Sequence, residues 1–351
     1  MARISEKVGD IHMINNIAYS KGSCMTERNH SIDKLKFICS FLIVCIHASF
    51  PDSISFYFTP ITRIAVPIFF IISGYYWNPK IGKNQVKKIG LLFVYSNFLY
   101  FLFGIVRASM HHELIQFFKS IISTKRIVDF IVFNESPFAP HLWYLGAILY
   151  VIIIYNCIRN RKIIRGIQLL TPILLVVGIS LGNYSKLFFN REFSNTVARN
   201  WIFVGIPYFT IGIIIHNHEA FLKDHICKEK AVGSIAVFMI LGIVEKTVLC
   251  NSQYTRDMYF TTAPLAILVF LFTIFYLNQT DTVTSKIGQK YSTLVYIVHY
   301  AIFLILSSFL NRTSLNGVYS YFRPIVVYSV ALLTAYCFSW CKRMLNKPLY
   351  K

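Results

Sequence analysis

Two residues on the first apolar stretch have a spacing that suits chemistry. Lys36 and His47 lie eleven positions apart in SIDKLKFICSFLIVCIHASF. On an α-helix, eleven residues bring two side chains to within about 20° of one direction, at heights differing by roughly 16 Å. Taken singly, Lys36 reads as a lysine snorkelling to a membrane rim, and His47 as one side of a helix–helix hydrogen bond. Taken together, they read as a path from the inner surface to the membrane interior with a base at its end. A neutral histidine there can accept a proton or act as a nucleophile.

Further polar groups extend the set. Arg63 sits in TRIAVPIFFIISGYYW, four residues before Pro67, whose missing N–H frees a backbone carbonyl. An arginine at that depth needs a carboxylate, a ligand anion or water. His141 opens HLWYLGAILY, where Trp143 and Tyr144 read as an interfacial belt and His141 as a belt residue or a cavity ligand. His299 lies in YSTLVYIVHYAIF, as a satisfied core histidine or a second cavity ligand. Arg199, Glu245, Arg256 and Asp257 fall near outer helix ends, and Glu245 is the expected counter-ion of Arg63 or Arg199. His141, Arg199, Glu245 and His299 are therefore the candidates for substrate contact. No metal site is expected, because His111-His112 and His216/His218 lack Cys or carboxylate partners at ligand spacing. No phosphate-binding glycine loop, G-x-S-x-G or redox cysteine pair is present.

The elements that must position these groups follow from composition. The chain has 351 residues, 55% hydrophobic and 14% charged, with a mean hydropathy of +0.54. Soluble domains carry roughly 25% charged residues. A water-facing surface cannot be covered from this composition, so a soluble enzyme domain is excluded. The expected fold is an all-α, polytopic membrane bundle of about ten helices, at 33–50, 57–78, 88–108, 141–158, 163–182, 200–216, 231–250, 260–277, 291–310 and 321–341. Residues 1–30 form a polar cytosolic tail without the apolar core of a signal peptide, and 31–345 form one membrane domain. The segment 109–140, apolar with scattered charges, is expected to lie along the outer interface or over a cavity mouth.

The net charge of +20 follows the same logic. Of the 35 Lys and Arg, 23 fall on the side that holds the termini, which places both termini in the cytosol. This basic excess belongs to inner loops facing the lipid bilayer, and nucleic acid is not an expected partner. The eight cysteines lie mostly in apolar runs and read as small buried hydrophobes.

In that order, SIDKLKFICSFLIVCIHASF, RIAVPIFFIISGYYW, HLWYLGAILY and YSTLVYIVHY resemble the bacterial acyltransferase type 3 family over about residues 31–341. These are multi-spanning acyltransferases of the cell membrane that modify surface carbohydrates, lipids and peptides. The family signature is a basic residue, ten residues, then histidine; Lys36 stands where arginine is usual. The resemblance implies that His47 is the catalytic histidine and that acetyl- or acyl-CoA is the donor. Lys36, Lys87 and Lys88 would then meet its phosphates, as point charges rather than arginine forks. Arg63 would polarise the thioester or hold an anionic acceptor, and the envelope acceptor would enter near His141.

The same fold forms the membrane half of VanT-type serine racemases of vancomycin-resistance clusters. RIAVPIFFIISGYY, ARNWIFVGIPYFTIGIII and RDMYFTTAPL are similar to that branch. On that alternative the chain is a free-standing membrane subunit. It would supply L-serine to a separate soluble racemase, carry no pyridoxal phosphate itself and hold the amino acid between Arg63 and Glu245. Either reading leaves room for a homo-oligomer.

Overall fold

The computed structural model describes residues 28–158, 160–249 and 258–345, and among them every regular element is helical. The apolar runs have no water to pair their backbone groups, and a helix satisfies those groups internally. Eight helical stretches are long and apolar enough to cross a membrane: Asp52–Tyr75, Pro79–Met110, Pro140–Cys157, Arg161–Leu181, Asn195–Asn217, Lys228–Leu249, Val283–Leu310 and Asn316–Met344. The protein is thus a multi-pass integral membrane protein. Two further helices fall where the sequence predicts spans. The first, α1 (His30–His47), carries Asp33, Lys34 and Lys36 in its 18 residues, and α14 (Thr262–Tyr276) has 15 residues.

Helix α1 is central. It touches α2 (Asp52–Thr62), α3 (Ala65–Tyr75), α14, α15 (Val283–Leu310) and α16 (Asn316–Leu345), with its most extensive contact on α15. Asn29 caps its start, its side-chain oxygen accepting the N–H groups of Ser31 and Ile32 at 3.1 Å. The helix ends at His47, and Pro51 follows before α2 begins. The α1–α15 approach is close because residue 288 is glycine: a methyl group there would overlap the Asp33 carbonyl oxygen. At Gly74 a methyl would likewise overlap the Phe209 carbonyl, which lets α3 pack tightly on α11 (Ile206–Asn217).

The second predicted span is two helices. α2 and α3 meet at Arg63–Ile64, and Pro67 cannot donate to the Arg63 carbonyl. The third span, α4 (Gly82–Met110), is longer than its predicted 88–108. Within 109–140 two short amphipathic helices form, α5 (Leu114–Ile121) and α6 (Thr124–Phe133), and neither contains a buried residue. The remaining helices are α7 (Trp143–Cys157), α8 (Arg161–Leu181), α9 (Ser185–Phe189), α10 (Asn195–Ala198), α12 (Glu219–His225) and α13 (Lys228–Leu249).

Candidate active site

Three histidines from distant parts of the chain converge. His47 ends α1, His141 lies in the 3-10 turn Pro140–Leu142 that opens α7, and His299 lies on α15. Their ring centroids are 5.3 Å apart for His47–His299, 5.0 Å for His141–His299 and 5.9 Å for His47–His141. Tyrosines complete the walls. Tyr100, Tyr300 and Tyr296 stand 4.9, 5.2 and 5.5 Å from the His141 ring, and Tyr300 is 5.5 Å from His47. His141 and His299 are buried, whereas His47 is half-buried at the edge of the group.

The hydrogen bonds of α15 define the state of His299. Its Nδ1 faces two backbone carbonyls, Tyr296 O at 2.7 Å and Val295 O at 3.1 Å. Both are acceptors, so in the neutral ring Nδ1 carries the hydrogen and Nε2 carries the lone pair. Nε2 is enclosed and has no hydrogen-bond partner. One turn on, the Tyr100 hydroxyl donates to Ile297 O at 2.7 Å and accepts Ala301 N–H at 3.1 Å. Those are the two groups an α-helix pairs with each other, so α4 grips α15 beside the histidine. The Tyr296 hydroxyl donates to the His141 carbonyl oxygen, tying α15 to the start of α7.

The segment before His141 is held as firmly. Asn134, left-handed at φ 56° and buried, donates to Trp143 O at 2.8 Å and accepts Trp201 N–H at 3.0 Å. The Ser136 hydroxyl donates to the Asn97 side chain on α4 at 2.7 Å. Glu135 pairs with Arg199 at 3.3 Å, and the Arg199 guanidinium lies 5.4 Å from the centre of the Trp143 ring. Trp143 is therefore buried beneath a cation, not set in an interfacial belt. Both ring nitrogens of His141 are enclosed without a regular hydrogen bond.

Other sequence candidates lie in different surroundings. At the start of α1, the nearly buried Asp33 carboxylate accepts from Arg28 at 2.7 and 2.8 Å and from Lys36 at 3.2 Å. Ser40 and Ile43 lie between Lys36 and His47 on the same helical face, and both are buried. No open polar stripe joins the two ends of α1, because Ile43 packs into the core and the Ser40 hydroxyl is engaged by Phe37 O and the Tyr328 hydroxyl. Lys87 and Lys88 are exposed near the start of α4. Arg63 occupies the α2–α3 break. Arg256 and Asp257 lie outside the described residues.

Glu245 does not pair with Arg199. Its carboxylate accepts from the Tyr184 hydroxyl (2.6 Å), Phe260 N (2.6 Å), Thr261 N (3.1 Å) and the Thr261 hydroxyl (2.8 Å). It thus caps the start of α14. Burial, and then the hydrogen bond and charge of Glu245, push the Tyr184 phenol up from its ordinary value. Just before the start of α15, exposed Asp281 is held below the usual carboxylate value, first by the Lys286 ammonium.

Sequence reasoning missed Asp33, Glu135, Tyr100, Tyr296 and Tyr300. Tyr296 and Tyr300 had a signal, since with His299 they occupy positions i, i+3 and i+4 of one helical face. Tyr100 had none, being one aromatic among many on α4. Among the described residues, no three His, Cys, Asp or Glu side chains are placed to share a metal ion. The arrangement brings three imidazole rings and three tyrosines together, groups able to exchange protons with a substrate.

A family model described as an acyltransferase domain matches residues 29–344. Two proteins of Enterococcus faecalis, both named amino-acid racemase, are similar to the chain. One is 28% identical over 207 residues, covering 53% of this chain and 28% of that protein. The other is 21% identical over 315 residues, covering 81% of this chain and 42% of that protein. The chain thus spans less than half the length of these relatives. No solved structure matches it significantly.

Proposed function

The chain belongs to this acyltransferase family, and from that premise we propose that it moves an acyl group from acyl-CoA to a hydroxyl or amine of a cell-envelope acceptor. The observation that carries the proposal is the convergence of the His47, His141 and His299 rings beside the unpartnered Nε2 of His299. We place it in the bacterial cell membrane with ten crossings, counting α1 and α14, and with both termini in the cytosol. The basic inner ends support that orientation.

In this reading acyl-CoA docks at the inner rim, its phosphates near Lys87, Lys88 and the Lys36–Asp33 pair. His47 lies about 16 Å beyond Lys36 along α1, a distance that an extended phosphopantetheine arm can span. Because Ser40 and Ile43 close the face between them, the arm must reach His47 from its half-buried side. His47 takes the acceptor's proton or briefly carries the acyl group. Arg63 polarises the thioester carbonyl or holds an anionic acceptor. The Glu135–Arg199 pair and His141 form the acceptor side, near the α5–α6 segment. Purified protein in lipid discs given labelled acetyl-CoA and envelope fragments tests this: transfer that disappears in His47→Ala supports it, and undiminished transfer in that variant removes His47 from the mechanism.

The racemase-named relatives favour one second reading, in which the chain supplies L-serine to a separate soluble racemase partner. CoA-independent uptake of labelled L-serine into vesicles would support it over acyl transfer.

A further inference from the structure

We propose that His299, through Nε2, is the base that takes the acceptor's proton, which leaves His47 as the acyl carrier. This rests on the acyl-transfer reading above.

Four observations lead to it. The tautomer of His299 is set: Nδ1 is held by Tyr296 O and Val295 O, so the free lone pair is at Nε2. That atom is enclosed and has no hydrogen-bond partner among the described residues. A buried polar atom left open is costly, and a donating substrate hydroxyl would relieve the cost. The ring lies against both other histidines, its centroid 5.3 Å from that of His47, so His299 is within one small substrate group of His47. Finally, the two carbonyls at Nδ1 stabilise the positive ring that forms when Nε2 takes a proton.

The neighbours keep this geometry. Tyr100 bridges Ile297 O and Ala301 N within two residues of His299, and Tyr296 ties the same turn to His141. Tyr100 is a positioning residue in this scheme. His141 is equally buried, but it lacks the pair of close backbone acceptors that sets the His299 tautomer, so it is the weaker base candidate.

The steps balance. A ring nitrogen of His47 attacks the thioester carbon, the C–S bond breaks, and CoA thiolate leaves with the electron pair. The acceptor's O–H proton then passes to Nε2 of His299 while its oxygen bonds to the acyl carbon. The C–N bond breaks, its electron pair returns to His47, and the proton on His299 passes through water to the thiolate equivalent. Ester and CoA thiol are the net products.

The test separates the two nitrogens of His299. Asparagine keeps a donor at the Nδ1 position and has no atom at Nε2; glutamine reaches Nε2 but cannot take a proton. Full-length protein in lipid discs receives [14C]acetyl-CoA, with water or added glycerol as the hydroxyl acceptor. In both His299→Asn and His299→Gln, label is expected to load onto His47 and to discharge about 10²–10⁴-fold more slowly than in the unaltered protein. The acid limb of the discharge pH profile should also vanish, which a packing role would not cause. If His299→Asn discharges at the unaltered rate with its acid limb intact, the proposal is overturned while acyl transfer stands. Transfer with no label on His47 also overturns it. Absence of both loading and transfer in the unaltered protein overturns the acyl-transfer reading itself. If either histidine variant fails to fold, Tyr100→Phe carries the test: slowed discharge with normal loading supports the scheme, and unchanged discharge contradicts it.

Discussion

Two polar groupings lie inside this bundle, and they differ in how their atoms are used. Around Glu245, the carboxylate receives four hydrogen bonds, from Tyr184, Phe260 and, through two groups, Thr261. Beside it Lys246 is buried with its ammonium 4.7 Å from the centre of the Phe56 ring. Around His299 the opposite holds. Three imidazoles share one enclosure, and Nε2 of His299 with both nitrogens of His141 is left open. Satisfied polar groups at membrane depth hold helices together. Open ones cost stability, and that cost is explained when a substrate completes them. The difference separates an anchor from the proposed reaction site, although both are built from ionisable residues in apolar runs.

Substitutions can break or sharpen that contrast, beginning with the largest effect. His47→Ala should reduce acyl transfer to background with folding intact, seen as unchanged elution in detergent and an unchanged melting curve. Glu245→Ala should do the reverse. It strands two backbone N–H groups and two hydroxyls, each worth about 1–3 kcal/mol if buried and unmet, so melting should drop sharply and activity should fall only with the folded fraction. If Glu245→Ala melts normally yet loses transfer, the anchor role is wrong.

Tyr100→Phe is intermediate. The lost hydroxyl removes two bonds worth about 0.5–1.5 kcal/mol each, but Ile297 O and Ala301 N can then pair with each other. Transfer should slow about tenfold, the rate factor that 1.4 kcal/mol of misplacement produces, with little change in melting temperature. An unchanged rate would contradict the positioning role of Tyr100 and the His299 scheme that rests on it.

The smallest effect belongs to Asp281 at the exposed start of α15. Lys286 holds its carboxyl below the ordinary value, so its contribution is present above the unfolded carboxylate's titration and is lost as pH falls through the lowered folded value. Asp281→Asn should flatten only the acid limb of a melting-temperature profile and leave transfer unchanged. A melting loss of equal size at neutral and acid pH would contradict that assignment.

The membrane class, the helical fold and the identity of the three histidines were legible in the sequence, because apolar run lengths and isolated ionisable residues are local signals. Their meeting was not legible. His47, His141 and His299 come from segments about a hundred residues or more apart, and periodicity carries no information on which helices become neighbours. The Lys36–His47 stripe shows the limit of a helical wheel. The two share a face, but what seals the face between them is decided by α15 and α16. Glu245 was expected to be partly buried beside Arg63 or Arg199, but its carboxylate is taken by Tyr184, Phe260 and Thr261 instead, because backbone N–H groups at a helix start compete for a carboxylate as well as arginines do. Asp33 was not singled out in the sequence, although its side chain accepts from Lys36.

The measurement that tests the central claim most directly is mass analysis of the purified protein after brief exposure to [14C]acetyl-CoA without acceptor. The account predicts label on the peptide containing His47, released when a hydroxyl acceptor is added and absent in His47→Ala. Label that persists in His47→Ala, or acetyl transfer that proceeds at full rate in that variant, would contradict it.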